Sequence, residues 1–123
     1  MLELAEVKSG DVLYDFGSGD GRIVIRPAQK YGIRAVGIEM DRLLLDQARR
    51  DAKADDVTRL VEFRAEDALK ANISKTTVIT LYMLPWFNEA MKPSFAKQLK
   101  RGSRIVAHDF GRRRKQSAVW TYQ

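Results

Sequence analysis

The chain has 123 residues, of which 22 are Lys or Arg and 16 are Asp or Glu, so that its formal net charge is +6. Its hydrophobic fraction of 45% is sufficient for a folded core, and its length predicts one domain over residues 1–123. The absence of cysteine excludes a disulfide scaffold, thiol catalysis and cysteine-ligated metal sites, and no apolar run is long enough to cross a bilayer. We therefore expect no metal centre, no membrane span and a cytoplasmic location.

Short apolar runs that alternate with helix-like segments predict the fold class. The five predicted strands comprise residues 11–16, 34–39, 60–64, 77–82 and 103–108. Helix-like segments separate most of these strands, which implies right-handed crossovers and parallel pairing. The sequence therefore predicts an α/β fold with a doubly wound, mainly parallel sheet.

Glycine, proline and aspartate mark the predicted helices. The first helix should end at Gly32, and it should be short, kinked or broken near Arg26, because Pro27 lacks a backbone N–H. Asp41 is a suitable N-cap for the second helix, and Pro93 suits the first turn of the third.

The end of the chain is expected to be either a basic tail or an extra strand, over residues 111–123. Residues 112–115 are four consecutive basic residues, and residues 117–122 could pair as one more strand. Only about a dozen residues follow the fifth strand, too few for another crossover of the usual length, so the sheet is expected to be incomplete at this end. An unfinished sheet exposes a strand edge, and we therefore expect homodimerisation or exchange of the tail between two copies.

A glycine-rich turn follows the first strand, at the place where doubly wound folds bind ligands. Asp15 precedes Gly17, Gly19 and Gly21, and Glu39 ends the next strand. Glycines let the backbone bend sharply and approach a ligand, and a carboxylate at the second strand can accept hydrogen bonds from both ribose hydroxyls. This pattern predicts a ligand that contains adenosine.

The charge of the turn distinguishes between adenosine ligands. The third glycine of a dinucleotide motif is missing, because Arg22 stands at its position, and no phosphate-binding loop of the G-x-x-x-x-G-K-[ST] type occurs. Asp15 and Asp20 would repel a pyrophosphate but suit a ligand with an ammonium and a sulfonium group. The turn therefore favours S-adenosylmethionine, with S-adenosylhomocysteine as the product.

Three segments resemble the class I S-adenosylmethionine-dependent methyltransferases, whose core is a Rossmann-like sheet. They are residues 12–24, residues 36–41 and the acidic turn at residues 65–68. Residues 80–88 and 102–110 resemble, more particularly, the small protein-lysine methyltransferases of archaea and of the mitochondrial ATP-synthase c-subunit type. The resemblance covers roughly residues 5–110.

The resemblance implies a role for each matching residue. The glycine turn would hold the methionine end of the cofactor, through Asp15, Gly17, Ser18, Gly19 and Gly21. Glu39 would bind the ribose, Met40 would pack on the adenine, and Asp67 would accept from the adenine amino group. The methyl-transfer centre would be lined by Thr80, Leu81 and Tyr82, with Asn88 positioning the adjoining loop or the substrate.

The activity implied by the resemblance is methyl transfer to a protein lysine, with a protein substrate as partner. Two alternatives stay open: an RNA or small-molecule methyltransferase, and a truncated, catalytically silent cofactor-binding module. Nucleic acid is not favoured as a partner, because no aromatic-and-basic recognition motif accompanies residues 112–115.

Overall fold

The computed structural model describes residues 7–17, 21–82, 85–109 and 116–121. These residues form six strands in one sheet, in the order β3-β2-β1-β4-β5-β6. The strands are β1 (Val12–Phe16), β2 (Arg34–Ile38), β3 (Val61–Arg64), β4 (Val78–Tyr82), β5 (Arg104–Asp109) and β6 (Gln116–Thr121). The first five pair in parallel and β6 pairs antiparallel with β5. The predicted doubly wound, mainly parallel α/β fold is confirmed.

Helices cover both faces of this sheet. They are α1 (Arg22–Tyr31), α2 (Arg42–Ala54) and α3 (Pro85–Gln98), and a short 3₁₀ turn spans Ala68–Lys70. One core cluster joins α1 and α2 to alternate strand residues such as Leu13 and Val78. The other joins α3 to the intervening strand residues, such as Tyr14 and Ile79. The two-residue period of a strand thus divides the buried residues between the two faces.

The first two helices have the termini that the sequence predicts. Gly32 ends α1 in a left-handed conformation with φ of 64°, and its N–H donates to the carbonyl of Ala28. The side chain of Asp41 caps α2 and accepts from the N–H groups of Leu43 and Leu44. Both devices satisfy backbone groups that a helix end would otherwise leave unpaired.

The structure differs from two expectations about prolines. α1 is not broken near Arg26: Pro27 lies inside this ten-residue helix, which continues to Tyr31, and Pro27 is buried. Pro93 does not begin α3; the helix starts at Pro85, so that Pro93 lies in its interior. The N–H group at the first position of a helix has no partner within the helix, so a proline, which lacks this group, is well suited to that position. Pro85 is therefore a favourable first residue for α3.

The extra strand expected near the end of the chain is present over residues 116–121. Residues from Gln116 to Thr121 pair in register with residues from Asp109 back to Arg104. The basic residues 112–115 lie outside the described residues.

A charged cluster joins the amino ends of three strands. Arg104 at the start of β5 forms an ion pair with Asp11, which also accepts a hydrogen bond of 2.7 Å from the Thr77 hydroxyl. The backbone N–H of Val12 donates to the same hydroxyl oxygen at 2.8 Å. This cluster ties β1, β4 and β5 together at the edge opposite the glycine-rich turn.

Candidate functional site

A buried aspartate and a threonine meet at the carboxyl edge of the sheet. Asp15 and Thr80 are direct partners in the parallel pairing of β1 with β4. The Thr80 hydroxyl donates a hydrogen bond of 2.6 Å to Asp15 Oδ1, and both residues are almost fully buried. Strand register therefore brings together two residues that are distant in the sequence.

The environment of Asp15 disfavours its charged form. Burial raises the pKa of the carboxyl to about 7, against the opposing effect of the Thr80 hydrogen bond, and the negative charge of Glu39 raises it further. None of the described groups that shift this pKa is positively charged. The site consequently favours a ligand that brings positive charge to Asp15.

Two glycines in the turn hold conformations that side chains rarely adopt. Gly17 has φ of 71°, its N–H donates to Ile38 at 2.8 Å, and a Cβ there would have nothing within 4 Å. Gly21 has φ of 87°, and a Cβ there would lie 2.9 Å from both the Ala48 Cβ and the Phe63 ring. Gly17 thus leaves open space for a ligand, whereas Gly21 permits close packing.

Glu39 is oriented by the backbone that leads into α2. Its Oε2 accepts hydrogen bonds from the N–H groups of Met40 at 2.9 Å and Asp41 at 3.1 Å. The backbone N–H of Glu39 in turn donates to the carbonyl of Arg64 at 3.0 Å. Met40, the next residue, is 66% exposed, so a carboxylate and an accessible apolar side chain lie together at the end of β2.

Asp67 lies after β3, on the same edge of the sheet. Its Oδ1 accepts from the N–H of Leu69 at 2.9 Å and caps the 3₁₀ turn, while the residue itself is exposed. The sequence pattern had not indicated this capping role, which is a local structural function. The role of Asp67 toward adenine remains a prediction.

The end of β4 and the start of α3 supply the remaining predicted residues. Leu81 is buried in the core under α3, and Tyr82 ends β4, although its side chain lies outside the described part of the chain. Asn88 lies in the first turns of α3, beside Phe87, whose ring contacts that of Phe16 with centroids 6.2 Å apart. Ser18 and Gly19 also lie outside the described residues, so their predicted roles are not tested.

Apolar side chains surround this edge, and among them only Met40 is a cofactor-binding residue predicted from the sequence. The exposed large hydrophobic residues of the described chain are Met40, Leu43, Leu44, Leu69 and Trp86. All of them follow the carboxyl ends of β2, β3 or β4. The signal in the sequence was the position of each one shortly after a predicted strand, where an apolar residue has no sheet to pack against.

The part of the chain that the structure describes offers neither clustered metal ligands nor a membrane-spanning helix. No group of three or more His, Cys, Asp or Glu side chains there could hold a metal ion. None of the described helices is both long enough and apolar enough to span a membrane.

Comparison with known proteins places the chain among methyltransferases. Residues 15–117 match the family described as the ANTKMT methyltransferase domain. A protein-lysine N-methyltransferase of Saccharolobus islandicus is 37% identical over 111 residues, which cover 89% of this chain and 69% of that protein. The human lysine N-methyltransferase of the ATP synthase c-subunit is 32% identical over 98 residues, but this chain spans only 42% of its length.

Solved structures agree on the fold. The crystal structure of an RNA methyltransferase from Salinibacter ruber, in complex with S-adenosyl-L-homocysteine, superposes with a TM-score of 0.90. Its sequence is 46% identical to this chain, and the match covers 98% of this chain and 86% of that one. The family match over residues 15–117 and the Saccharolobus relative together show that the chain belongs to the ANTKMT methyltransferase domain family.

Proposed function

We propose that this chain binds S-adenosylmethionine at the carboxyl edge of its sheet and transfers the methyl group to a lysine amine of a protein. The observation that carries the proposal is the buried Asp15–Thr80 pair beside Glu39, in a member of a methyltransferase family. The relatives that are named as lysine methyltransferases, of proteins generally and of the ATP synthase c-subunit, support the lysine acceptor.

The residues at this edge fit the proposed ligand. Asp15 and Glu39 place two carboxyl groups close enough to interact electrostatically. The positive charges of a sulfonium and an ammonium would reduce the repulsion between them, whereas a pyrophosphate would add further negative charge. Gly17 leaves space for the ligand to approach the backbone. The exposed Met40 offers an apolar surface for an aromatic ring beside Glu39.

When bound, S-adenosylmethionine supplies an activated methyl group on a sulfonium. The tasks left to the protein are to orient the two reactants in line, which contributes roughly 7–11 kcal/mol in well-oriented systems, and to keep the acceptor amine neutral. Trp86, 68% exposed, stacks edge-on against Phe87 with ring centroids 5.7 Å apart. An amine that enters between such apolar side chains loses solvent, which lowers its pKa and favours the neutral nucleophile.

A calorimetric titration with S-adenosylmethionine tests the ligand. Glu39→Ala is expected to weaken binding by at least about tenfold, since it removes hydrogen bonds to the ligand from a charged group. Glu89→Ala is the matched control, because Glu89 is an exposed glutamate whose ion-pair partner is the equally exposed Lys92. Equal affinities of the two variants would refute the assignment of Glu39.

The acceptor is tested with tritiated methyl donor and a cell extract. Label that survives RNase, is lost with protease and co-elutes with methyllysine after hydrolysis would support the proposal. The Salinibacter structure named as an RNA methyltransferase favours RNA as the second candidate, for which label would be lost with RNase. Binding of the donor without any transfer would indicate the silent module instead.

Two further expectations are proposed together with this activity. A second copy of the chain is proposed to pair along the outer edge of β6, because β5 is the only described strand that β6 pairs with. A cytoplasmic location is proposed because a chain without cysteine needs no oxidising compartment to fold. Fractionation of source cells with an antibody to the chain tests the location; recovery in an extracytoplasmic fraction would refute it.

A further inference from the structure

Exposed basic residues stand at the entrance of each of the five described parallel strands. In the order of the sheet from β3 to β5 they are Arg59, Arg34, Lys8, Lys75 and the pair Lys100 and Arg101. Within the described part of the chain, none of these side chains forms an ion pair. We call this set the basic row. It lies along the amino edge of the sheet, opposite the glycine-rich turn.

Tight turns hold most of the basic row in place. Four turns at this edge close with a hydrogen bond from an N–H to the carbonyl three residues earlier, and they comprise residues 8–11, 57–60, 73–76 and 100–103. Each turn leads into a strand and carries one or two members of the row. Neighbouring entrances are also joined: the N–H of Ala35 donates to Leu60 at 2.9 Å. The fold therefore fixes the backbone of these residues before any partner binds.

The basic row has the shape of a line. Neighbouring strands lie about 4.8 Å apart, so the entrances of five strands extend over about 19 Å. A stacked nucleic-acid strand carries one phosphate per about 3.4 Å of its axis, so a row of this length faces about five or six phosphates. Because the edge of a single sheet is narrow, the row fits an extended polyanion better than it fits the flat surface of a lipid bilayer.

The other residues of this edge favour contact with a phosphate backbone. The exposed large hydrophobic residues of the described chain all follow the carboxyl ends of strands. The described amino edge thus has no such side chain to insert into lipid or to stack on a base. Asp11 is buried and paired with Arg104. Two exposed acids, Asp55 and Asp56, lie between α2 and Arg59, so the positive charge is least offset from β2 to β5.

We propose that the basic row binds the phosphate backbone of a single-stranded nucleic acid without reading its bases. Arg and Lys contacts with phosphate fix the position of a bound strand but carry no sequence information. β1 has five residues, so at about 3.3 Å per residue the basic row and the methyl-transfer edge are about 16 Å apart. The bound strand therefore anchors the protein and is not the methyl acceptor. No sequence motif indicates this site, because its members come from separate turns that only the sheet brings into line.

Fluorescence anisotropy with a labelled oligouridine of about 20 nucleotides tests the site. Arg34→Ser combined with Lys75→Ser removes two members of the basic row. The matched control is Arg42→Ser combined with Lys70→Ser, which removes an exposed Arg and an exposed Lys that follow the carboxyl ends of β2 and β3. Both double variants should keep the Tm of the unmodified chain.

The two double variants are expected to differ in affinity and in salt dependence. At about 50 mM salt the variant of the basic row should bind at least about tenfold more weakly, and the control should stay within about twofold of the unmodified chain. Each lost phosphate contact removes about 0.7 from the slope of log affinity against log salt. The slope of the first variant should therefore be smaller by about 1.4, with no change in the control.

Equal affinities of the two double variants would overturn the inference, as would absence of binding by the unmodified chain at low salt. Loss of binding on replacement of residues 112–115 by serine, with no effect of the first double variant, would also overturn it. Tighter binding of oligouridine than of oligothymidine would identify RNA as the source of the backbone, and equal binding would support any single strand. Tighter binding of phosphatidylserine vesicles or polyglutamate through Arg34 and Lys75 would contradict a nucleic-acid partner.

Discussion

Asp11 and Asp15 lie only four residues apart, but their pKa values are shifted in opposite directions. The reason is that the two side chains lie at opposite edges of the sheet. For Asp11, burial alone would raise the pKa, but the Lys8 backbone, the Thr77 hydroxyl and Arg104 together hold the pKa below its usual value. For Asp15, burial raises the pKa to about 7, and Thr80 offers only a neutral donor. The folded structure thus stabilises the ionised form of Asp11, whereas it disfavours the ionised form of Asp15 until a positively charged ligand binds.

The pKa of Asp15 predicts a pH dependence of stability for the chain without added ligand. Between about pH 4 and about pH 7 the folded chain retains a proton that the unfolded chain releases, so the free energy of unfolding should fall as pH rises. Asp15→Asn cannot ionise and can still accept from Thr80. It should therefore be more stable than the unmodified chain above about pH 7, by about 1–4 kcal/mol, with a smaller difference near pH 5.

Urea unfolding of both proteins at these two pH values measures the effect. Asp11 supplies the opposite dependence, with stability lost as pH falls below about 4, but it is present in both proteins and cancels in the comparison. Parallel pH profiles for the two proteins would show that Asp15 is ionised in the folded chain.

At the scale of elements, the glycine-rich turn is also a packing junction. Gly21 precedes α1 and lies where α2, through Ala48, and β3, through Phe63, come closest to it. The geometry of a binding turn and the close packing of three elements therefore depend on the same residue. A side chain at this position would strain the backbone and also push the elements apart.

This double role predicts unequal effects of two glycine substitutions. Gly21→Ala should lower the free energy of unfolding by about 2–4 kcal/mol, because it adds overlap with Ala48 and Phe63 to the strain of a left-handed residue. Gly32→Ala is the control: φ is 64° and a Cβ there has nothing within 4 Å, so only about 1–2 kcal/mol should be lost. Chemical denaturation measures the free energy of unfolding of both variants. Equal losses would show that Ala48 and Phe63 move aside for the new Cβ at no cost in stability.

The elements also show what sequence patterns can and cannot predict. The strands of the parallel sheet follow from short apolar runs, and Asp41 and Gly32 mark helix ends through local chemistry. The start of α3 was misplaced because Pro93 and Pro85 are both acceptable first-turn residues, and only packing of Met91 against the sheet decides between them. The Asp15–Thr80 pair required the register of β1 with β4, which no local pattern contains.

The same distinction applies to the candidate site. The glycine turn and Glu39 were predicted from their positions at strand ends, whereas Asp67 was predicted from the resemblance to the methyltransferases. The structure brings their strands to one edge. The buried Oδ1 of Asn88, which has no hydrogen-bond partner among the described residues, could not be predicted, since an unsatisfied group is a property of the whole packed environment. The sequence shows only that an amide stands where the helix face is otherwise apolar.

At the scale of the whole molecule, β6 forms one edge of the described sheet. It pairs with β5 over six residue pairs, so the edge that it presents is regular and long. Regular edge strands are suited to pairing with another chain, and two copies of β6 related by a two-fold axis would extend the sheet across both molecules. The proposed homodimer would then leave the carboxyl edge, with its ligand site, open in both copies.

A pair of proline substitutions tests this arrangement, using the alternation of N–H groups along a strand. Of the neighbouring residues Ser117 and Ala118, one directs its N–H toward β5 and the other toward the outer edge. Ser117→Pro and Ala118→Pro should therefore differ: one breaks the pairing with β5 and lowers Tm, and the other keeps Tm but blocks the edge. Sedimentation equilibrium should show a dimer for the unmodified chain and a monomer for the variant that keeps its Tm. A dimer that persists in that variant would place the contact elsewhere, and a monomeric unmodified chain at high concentration would exclude self-association through β6.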